Sequence, residues 1–370
     1  IPSELPDHDA AARSYADEIG QVFGLSATGA PPEFDLVFLG MGPDAHTASF
    51  FPEAEGLEAA LDMGNESLCV ALTASTLPVI GFGLYEYLRG SGMTIHGRLD
   101  SFFPSPNFVA MYLVPIMVFA GALFVARIRD RTQKPLSPLC FYYGIPWIIG
   151  ASVTLLLTQS FGGWLAFLGG TMFAILSHVR ITPIKTTLFA LIFIILSFVG
   201  FLVFQKSISH FDSFWQVNSL QTRTEIWANS LKLLSEHPIR GIGLGNFQNA
   251  YESYVRALPE KNQPVEIVVL RPHNIFLAFW LETGLAGLAA FIWLIAIFYQ
   301  KTIKERLKHK NTLIIAPSAA MAALLLHGLI DTPYFKNDLS LLFWILVFIH
   351  LSLTVGPYHN ARRGQEVESC

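Results

Sequence analysis

Long apolar runs dominate the chain after about residue 72, and their lengths indicate its architecture. A helix that crosses about 30 Å of hydrocarbon needs roughly 20 apolar residues. Segments that reach or approach this length are 73–89, 107–126, 139–158, 160–178, 186–205, 275–299, 313–330 and 339–355. Pro78, Glu86 and Arg89 interrupt the first segment, and the tight break at Gln159–Ser160 also permits a re-entrant pair. The pattern predicts a mainly α, polytopic membrane protein with about eight transmembrane helices.

Composition and charge agree with a membrane protein and exclude several other classes. Hydrophobic residues make up 52% of the chain and charged residues only 14%, the latter roughly half the share in an ordinary soluble domain. The net charge of −4 provides no basic field for nucleic acid, so we expect no nucleic-acid partner. Cys69, Cys140 and Cys370 lack the spacing of a zinc site or a disulfide framework. We therefore expect neither a metal nor a cofactor.

The basic residues predict how the chain crosses the membrane, because short basic loops stay cytoplasmic. They collect in four places: Arg127 to Lys134, Arg180 with Lys185, Lys301 to Lys310, and Arg362 with Arg363. Eight crossings put all four on one side. Residues 1–72 and the tail 356–370 are then cytoplasmic, and the loop 206–274 is external. The lack of a cleavable signal peptide before the acidic first segment agrees with a cytoplasmic N-terminus.

The external loop 206–274 is long and has its own helical pattern, which is typical of functional loops. Thr222 and Glu225 have capping-box spacing, and an amphipathic pattern follows until Pro238. Arg223 would then lie in the first helical turn. It is either a solvent-facing arginine or part of an anion site formed with the free backbone amides. A second helix is predicted around Phe247, Tyr251 and Tyr254, and the run Gly241–Gly245 between the helices is interpreted as a turn.

Polar residues that border or enter the membrane gather on the predicted external side. His273 follows Pro272, which is favoured at the first position of a helix, so we expect His273 at a helix N-terminus, neutral and able to accept a proton. Glu282 lies about 13 Å further along the same helix, where an acid is costly and usually functional. Arg98, Asn107, His327, Asp331, Lys336 and Asp338 fall on the same side. His327 and Asp331 share a helix face.

Several motifs in order make the chain from about residue 79 to 355 resemble the O-antigen ligase family. They are Arg98–Phe103 with Pro106–Asn107, Arg223 with Trp227, His237–Pro238 before Gly241–Phe247, His273–Asn274 with Glu282, Gly284 and Gly287, and His327–Asp338. The resemblance implies transfer of a glycan from an undecaprenyl-diphosphate carrier to an acceptor glycan or lipid core outside the bacterial inner membrane. It further implies that His273 is the catalytic base and that Arg223 and Arg271 hold the diphosphate. Family members generally have about four more crossings, so we expect a truncated transferase.

Residues 1–78 resemble part of a different family, the 6-phosphogluconolactonases. A buried strand, 34–40, leads into Met41–Ser49, which is close to the lactonase signature loop and contains Asp44 and His46. The resemblance implies that His46 is the base for attack of water on the lactone. The segment is an incomplete α/β fragment that cannot bury a sheet core, so we expect no lactonase activity.

Two other functional interpretations remain open at this stage. One is a hydrolase, the lactonase, and the other is a transporter of lipid-linked glycans that uses the external polar residues as a gate. The length of the external loop argues against a gate. Because both resemblances break off near residue 78, the sequence favours a fused or misassembled reading frame over a designed two-domain enzyme.

Overall fold

A computed structural model describes residues 64–90, 97–129, 138–178, 219–264, 266–309 and 312–355. All of them belong to one compact unit, 61–370. Residues 1–63 of the predicted α/β fragment, which include Asp44 and His46, lie outside the described residues. So do the predicted crossing 186–205, the C-terminal tail and most of the loop basic residues.

Every regular element within these ranges is helical. The helices are α1 (Gly64–Ser75), α2 (Leu77–Arg89), α3 (Pro106–Arg129), α4 (Pro138–Thr158), α5 (Phe161–His178), α6 (Ser219–Glu236), α7 (Phe247–Arg256), α8 (Ile275–His309), α9 (Ile315–Gly328) and α10 (Asn337–Val355). A short 3-10 turn, Glu260–Asn262, follows α7. The mainly helical class predicted from the sequence is confirmed for the described residues.

The apolar helices are consistent with a membrane protein. In the described part of the chain, the segments Pro106–Ile128 and Ile275–Leu307 are long and apolar enough to cross a bilayer, and four shorter apolar helices accompany them. The predicted crossing 73–89 is wrong as a single element. It is divided between α1 and α2, and Pro78 lies in the first turn of α2, a position that tolerates proline.

The core of the unit is built around α9, which packs against α3 and α5. Small residues allow this close approach. A Cβ atom added to Gly170 on α5 would meet the Ala323 Cβ at 2.7 Å and the Ala319 carbonyl oxygen at 3.1 Å. A Cβ atom on Gly163 would meet the Ala110 Cβ at 2.7 Å. Small residues serve the same purpose where membrane helices associate, because apolar burial contributes little there.

Helix α8 is interrupted in its N-terminal third, at Gly284, and a loop of the chain packs into the interruption. Gly284 has φ 71° and ψ −176°, which no α-helix contains. The N–H group of Leu285 donates to the carbonyl oxygen of Ile239 at 2.9 Å. The N–H group of Ile242 donates to the carbonyl oxygen of Leu281 at 2.6 Å. A Cβ atom on Gly241 or Gly284 would collide with the facing backbone. Both positions therefore require glycine. The run Gly241–Gly245, interpreted from the sequence as a turn, also packs against the backbone of α8.

The helices α6 and α7, which belong to the loop that the sequence predicts to be external, confirm its predicted helical pattern. Phe247, Tyr251 and Val255 of α7 are fully buried and form one apolar cluster with α6 and with Leu277 and Leu281 of α8. The predicted capping box is wrong, because α6 is already helical at Ser219 and Thr222 lies inside it. The apolar cluster thus fixes the external helices to the first turns of α8.

Candidate functional site

Asp331 lies three residues beyond the end of α9 and joins several of the predicted site residues. Its Oδ1 is 3.1 Å from the Nδ1 of His273 and accepts the Thr332 backbone N–H at 3.0 Å. Its Oδ2 accepts a hydrogen bond from the Asn107 amide at 3.2 Å and lies 3.6 Å from Nη2 of Arg223. We call Asp331, His273, Asn107, Arg223 and Arg98 the Asp331 cluster.

The electrostatics of the cluster keep the Asp331 carboxylate ionised. Burial by itself would raise the pKa of this carboxyl, since the side chain is only 7% exposed. The hydrogen bond with His273 and the charge of the nearby Arg223 guanidinium oppose burial and outweigh it. The net result is a pKa held well below the ordinary aspartate range. A buried carboxylate that persists in this way can hold an imidazole in one orientation.

His273 is held by its backbone as well as by Asp331. Its φ of 49° is uncommon for a residue other than glycine, and its carbonyl oxygen accepts a hydrogen bond from the indole N–H of Trp227 at 3.1 Å. The side chain is 31% exposed. Strained backbone positions of this kind cluster at functional sites.

The helix after His273 begins three residues later than the sequence suggested. Helix α8 starts at Ile275, and the Asn274 side chain accepts the Leu277 backbone N–H at 2.9 Å. Asn274 is therefore the N-cap. The prediction that Pro272 occupies the first helical position is wrong, although His273 does lie next to the helix N-terminus.

Two arginines in the Asp331 cluster come from distant parts of the chain. Arg223 lies in the second turn of α6 and not in the first turn, where the sequence placed it. Arg98 donates from Nη2 to the Asn107 side-chain oxygen and from Nε to the Thr158 carbonyl oxygen, both at 2.9 Å. Burial and the neighbouring Arg223 lower the pKa of Arg98. The cluster thus concentrates positive charge around one carboxylate.

Glu282 and Arg271 form a second ion pair. The Glu282 side chain is fully buried, and its Oε1 accepts from Nη1 of Arg271. Its Oε2 accepts the backbone N–H of Gly245 at 2.8 Å, and the Arg271 guanidinium lies 5.5 Å from the centre of the Phe335 ring. The structure therefore places Glu282 as the partner of Arg271 and of the glycine run.

The remaining predicted residues lie in different surroundings. His327 is 2% exposed and packs against Gly162, where an added Cβ atom would meet the imidazole Nε2 at 2.9 Å. The Lys336 ammonium lies 4.1 Å from the centre of the Phe108 ring, a cation–π contact near the start of α3. In the described part of the chain, no group of three or more His, Cys, Asp or Glu residues could hold a metal ion.

Sequence reasoning assigned no site role to three groups that hold the predicted residues in place. These are the Trp227 indole, the Gly245 amide and the Phe335 ring. The first and third lie in motifs that resemble the ligase family, but their contacts join positions that are 46 and 64 residues apart along the chain, counted as 273 − 227 and 335 − 271. Only the fold brings these groups together.

Comparison with known families matches two separate parts of the chain. Residues 147–292 match the family model described as O-antigen ligase. This range contains Arg223, Arg271, His273 and Glu282. Residues 1–79 match the family model described as glucosamine-6-phosphate isomerases/6-phosphogluconolactonase.

Curated relatives were found for the N-terminal part. A 6-phosphogluconolactonase of Pseudomonas putida is 49% identical over 51 residues, which are 14% of this chain and 21% of that protein. One from Synechocystis sp. is 36% identical over 83 residues, which are 22% of this chain and 34% of that protein. The chain thus spans about a fifth to a third of these relatives. Both resemblances inferred from the sequence are confirmed, the ligase one over residues 147–292 and the lactonase one over residues 1–79.

Proposed function

We propose that residues from about 79 to 355 transfer a glycan from an undecaprenyl-diphosphate carrier to a hydroxyl group of an acceptor glycan or lipid core. The match to O-antigen ligase supports a membrane glycan-processing function. The observation that carries the proposal is the contact of His273 with the buried Asp331 carboxylate beside Arg223. It combines a base with a cation, which are the two groups that this transfer requires.

His273 acts as the base in this mechanism. When its Nδ1–H donates to Asp331, its Nε2 carries a lone pair and accepts the proton of the acceptor hydroxyl. The acceptor oxygen then forms a bond to the anomeric carbon. The bond between that carbon and the phosphate oxygen breaks, and its electron pair stays on the diphosphate. Asp331 stabilises the imidazolium that results and is a positioning residue.

The arginines stabilise the negative charge on the departing diphosphate. A guanidinium has five N–H donors, so one carboxylate contact does not exhaust it. Arg223 is 16% and Arg271 33% exposed, so solvent reaches both. In a partly buried site such charges act strongly on an anion that develops in the transition state, without a metal.

The other interpretations have less support. A transporter needs no base, so the contact between His273 and Asp331 favours transfer. A lactonase activity rests on the match over residues 1–79, which covers a third or less of the relatives above. We propose that it is absent. We further propose the bacterial inner membrane as the location, with both termini cytoplasmic.

The proposal is tested by following transfer of lipid-linked glycan in membranes that contain the chain at checked protein levels. We expect His273→Ala to slow transfer on the order of 10²-fold or more, because the base is lost. Arg223→Ala should lower turnover more than it raises KM, since its contact strengthens in the transition state. Arg256→Ala is the matched control. Its guanidinium pairs with Glu252 at 2.8 Å on the exposed side of α7, and we expect a rate near wild type. A wild-type rate in His273→Ala would refute the mechanism.

A further inference from the structure

A groove of about 540 Å³ lies between the external helices α6 and α7 and has no role in the mechanism above. Its lining comprises Leu233, His237, Gly241, Ile242, Asn246, Asn249, Ala250 and Ser253. The volume is within the range of small-molecule sites. Asn246, Asn249 and Ser253 recur along α7 with helical spacing, and they occupy the side opposite to its buried apolar face. The groove is therefore formed by one continuous face of α7 placed against the end of α6.

The chemistry of the lining is neutral and mixed. Leu233 is buried, and Ile242 and Ala250 are half-buried, so they provide an apolar floor. The imidazole of His237, two amides and one hydroxyl stand exposed around this floor. The lining contains no lysine, arginine, aspartate or glutamate. Such a surface suits a ligand that has apolar C–H faces and many uncharged hydroxyl groups, and it has nothing to attract a phosphate.

We propose that this groove binds uncharged sugar units of the glycan that the chain processes. The inference rests on the proposed function and adds a subsite to it. The charged part of a lipid-linked donor requires Arg223 and Arg271, so the two sets of residues divide the substrate by chemistry. Amides and hydroxyls bind sugar hydroxyls through hydrogen bonds, and leaving such groups unpaired on either side weakens binding.

The backbone connects the groove with the candidate site. Gly241 and Ile242 form one wall, and Ile242 donates its N–H to Leu281 of α8. Asn246 donates from its side chain to the Ile242 carbonyl oxygen at 3.0 Å, and Gly245, next to it, donates to Glu282. A sugar in the groove thus contacts the loop that also holds the Glu282–Arg271 pair.

The experiment measures binding of lipid-free glycans to the full chain in detergent by calorimetry. One probe is the glycan that mild acid releases from the host's lipid-linked donor, and the other is the delipidated acceptor core. The variants are Asn249→Ala with Ser253→Ala, which removes polar groups, and Ala250→Leu, which fills the groove. Gln248→Ala lies on the same helix outside the lining and is the matched control. His273→Ala is the control for catalysis. Near-wild-type melting temperatures confirm that each variant is folded.

We expect both groove changes to raise Kd about tenfold or more, while Gln248→Ala binds like wild type and His273→Ala binds the released donor glycan like wild type. The probe that binds more weakly to the groove variants than to the wild type shows whether the groove binds sugars of the donor or of the acceptor. Wild-type affinity in both groove variants, or no binding of either probe to the wild type, overturns the groove proposal even if transfer proceeds. Groove-dependent binding by a wild-type chain that transfers no glycan supports the groove and refutes the proposed function.

Discussion

Two polar clusters lie near opposite ends of α8 and α9, and they use similar side chains in different ways. The Asp331 cluster contains charges, and its His273 side chain is 31% exposed. The second, which we call the Thr302 cluster, consists of Thr302 on α8, Ser318 on α9 and His350 on α10. All three of its members are buried. Each cluster includes a histidine, but only one histidine faces a carboxylate.

The members of the Thr302 cluster are hydrogen-bonded to one another. The Thr302 hydroxyl is 2.8 Å from Nε2 of His350 and 2.9 Å from the Ser318 hydroxyl. Ser318 in turn donates to the Ile314 carbonyl oxygen at 2.7 Å, and the His350 ring stacks on Phe298. Three helices are thereby joined by neutral groups. This arrangement suits packing, since buried polar groups that are paired favour one helix register.

The difference between the clusters shows what distinguishes a reactive histidine from a structural one in this fold. The Nε2 atom of His350 contacts a pair of hydroxyls that ends on the backbone, whereas His273 contacts an ionised carboxylate with arginines nearby. Among the residues that the structure describes, no hydrogen bond from Nε2 of His273 is present, and water reaches the side chain. The comparison therefore predicts that changes in the Asp331 cluster affect turnover and that changes in the Thr302 cluster affect stability.

The largest expected effect is that of Asp331→Asn. The amide keeps the shape of the side chain but removes the charge that orients His273 and stabilises its imidazolium. We expect transfer to slow on the order of 10²-fold, comparable with the loss of the base itself and less than the roughly 10⁴-fold cost of the same replacement in a serine-protease triad. The rate is measured in membranes at matched protein level. A turnover number within about threefold of wild type would mean that Asp331 has a purely structural role.

The pH dependence of stability provides an independent measurement of Asp331. Because its pKa is lower in the folded chain than in the unfolded chain, its contribution is complete above the unfolded value and is lost as pH falls through the folded value. The difference in melting temperature between wild type and Asp331→Asn should therefore be constant from about pH 5 to 8 and narrow below about pH 4. If this difference in melting temperature stayed constant into strong acid, Asp331 would not be an ionised carboxylate that stabilises the fold.

The sequence predicts the positions of the helices more accurately than it predicts where a helix is interrupted or begins. Apolar runs indicate α3, α4, α5, α9 and α10 to within a few residues, because such runs are regular along the chain. The break at Gly284 was not predicted, since the N–H and carbonyl groups that fill it come from Ile239 and Ile242, some 40 residues earlier. Likewise, α6 is already helical at Ser219, three residues before the local capping signal at Thr222.

The site was predictable as a set of residue types and not as a geometry. A membrane-bordering acid or histidine stands out by its cost in the bilayer, so His273, Glu282 and Asp331 could be named. Nothing local indicated that Asp331 would pair with His273, 58 residues away, or that Glu282 would pair with Arg271. The charge of an acidic residue at the membrane face does not by itself predict which basic residue it will pair with.

A smaller effect is expected from Asn107→Ala, which tests whether the Asp331 cluster acts as a unit. Asn107 accepts from Arg98 and donates to Asp331, so alanine removes both contacts without removing a charge. We expect a loss of about tenfold in transfer rate, roughly 1.4 kcal/mol. Combining it with Asp331→Asn should cost little more than Asp331→Asn alone, because both changes break the same contact. Fully additive losses would show that Asn107 acts independently of Asp331.

The smallest expected effect on transfer is that of Thr302→Val, which keeps the volume of the side chain and removes its hydroxyl. His350 then loses its partner in a buried position, so we expect a transfer rate within about twofold of wild type and a melting temperature lower by about 2–4 °C. Thr154→Val is the matched control. The Thr154 hydroxyl is buried without a hydrogen-bond partner among the described residues, so its removal should leave the melting temperature unchanged or raise it. If Thr302→Val instead slowed transfer at unchanged melting temperature, the Thr302 cluster would have to be coupled to the chemistry, and the functional distinction between the two clusters would be lost.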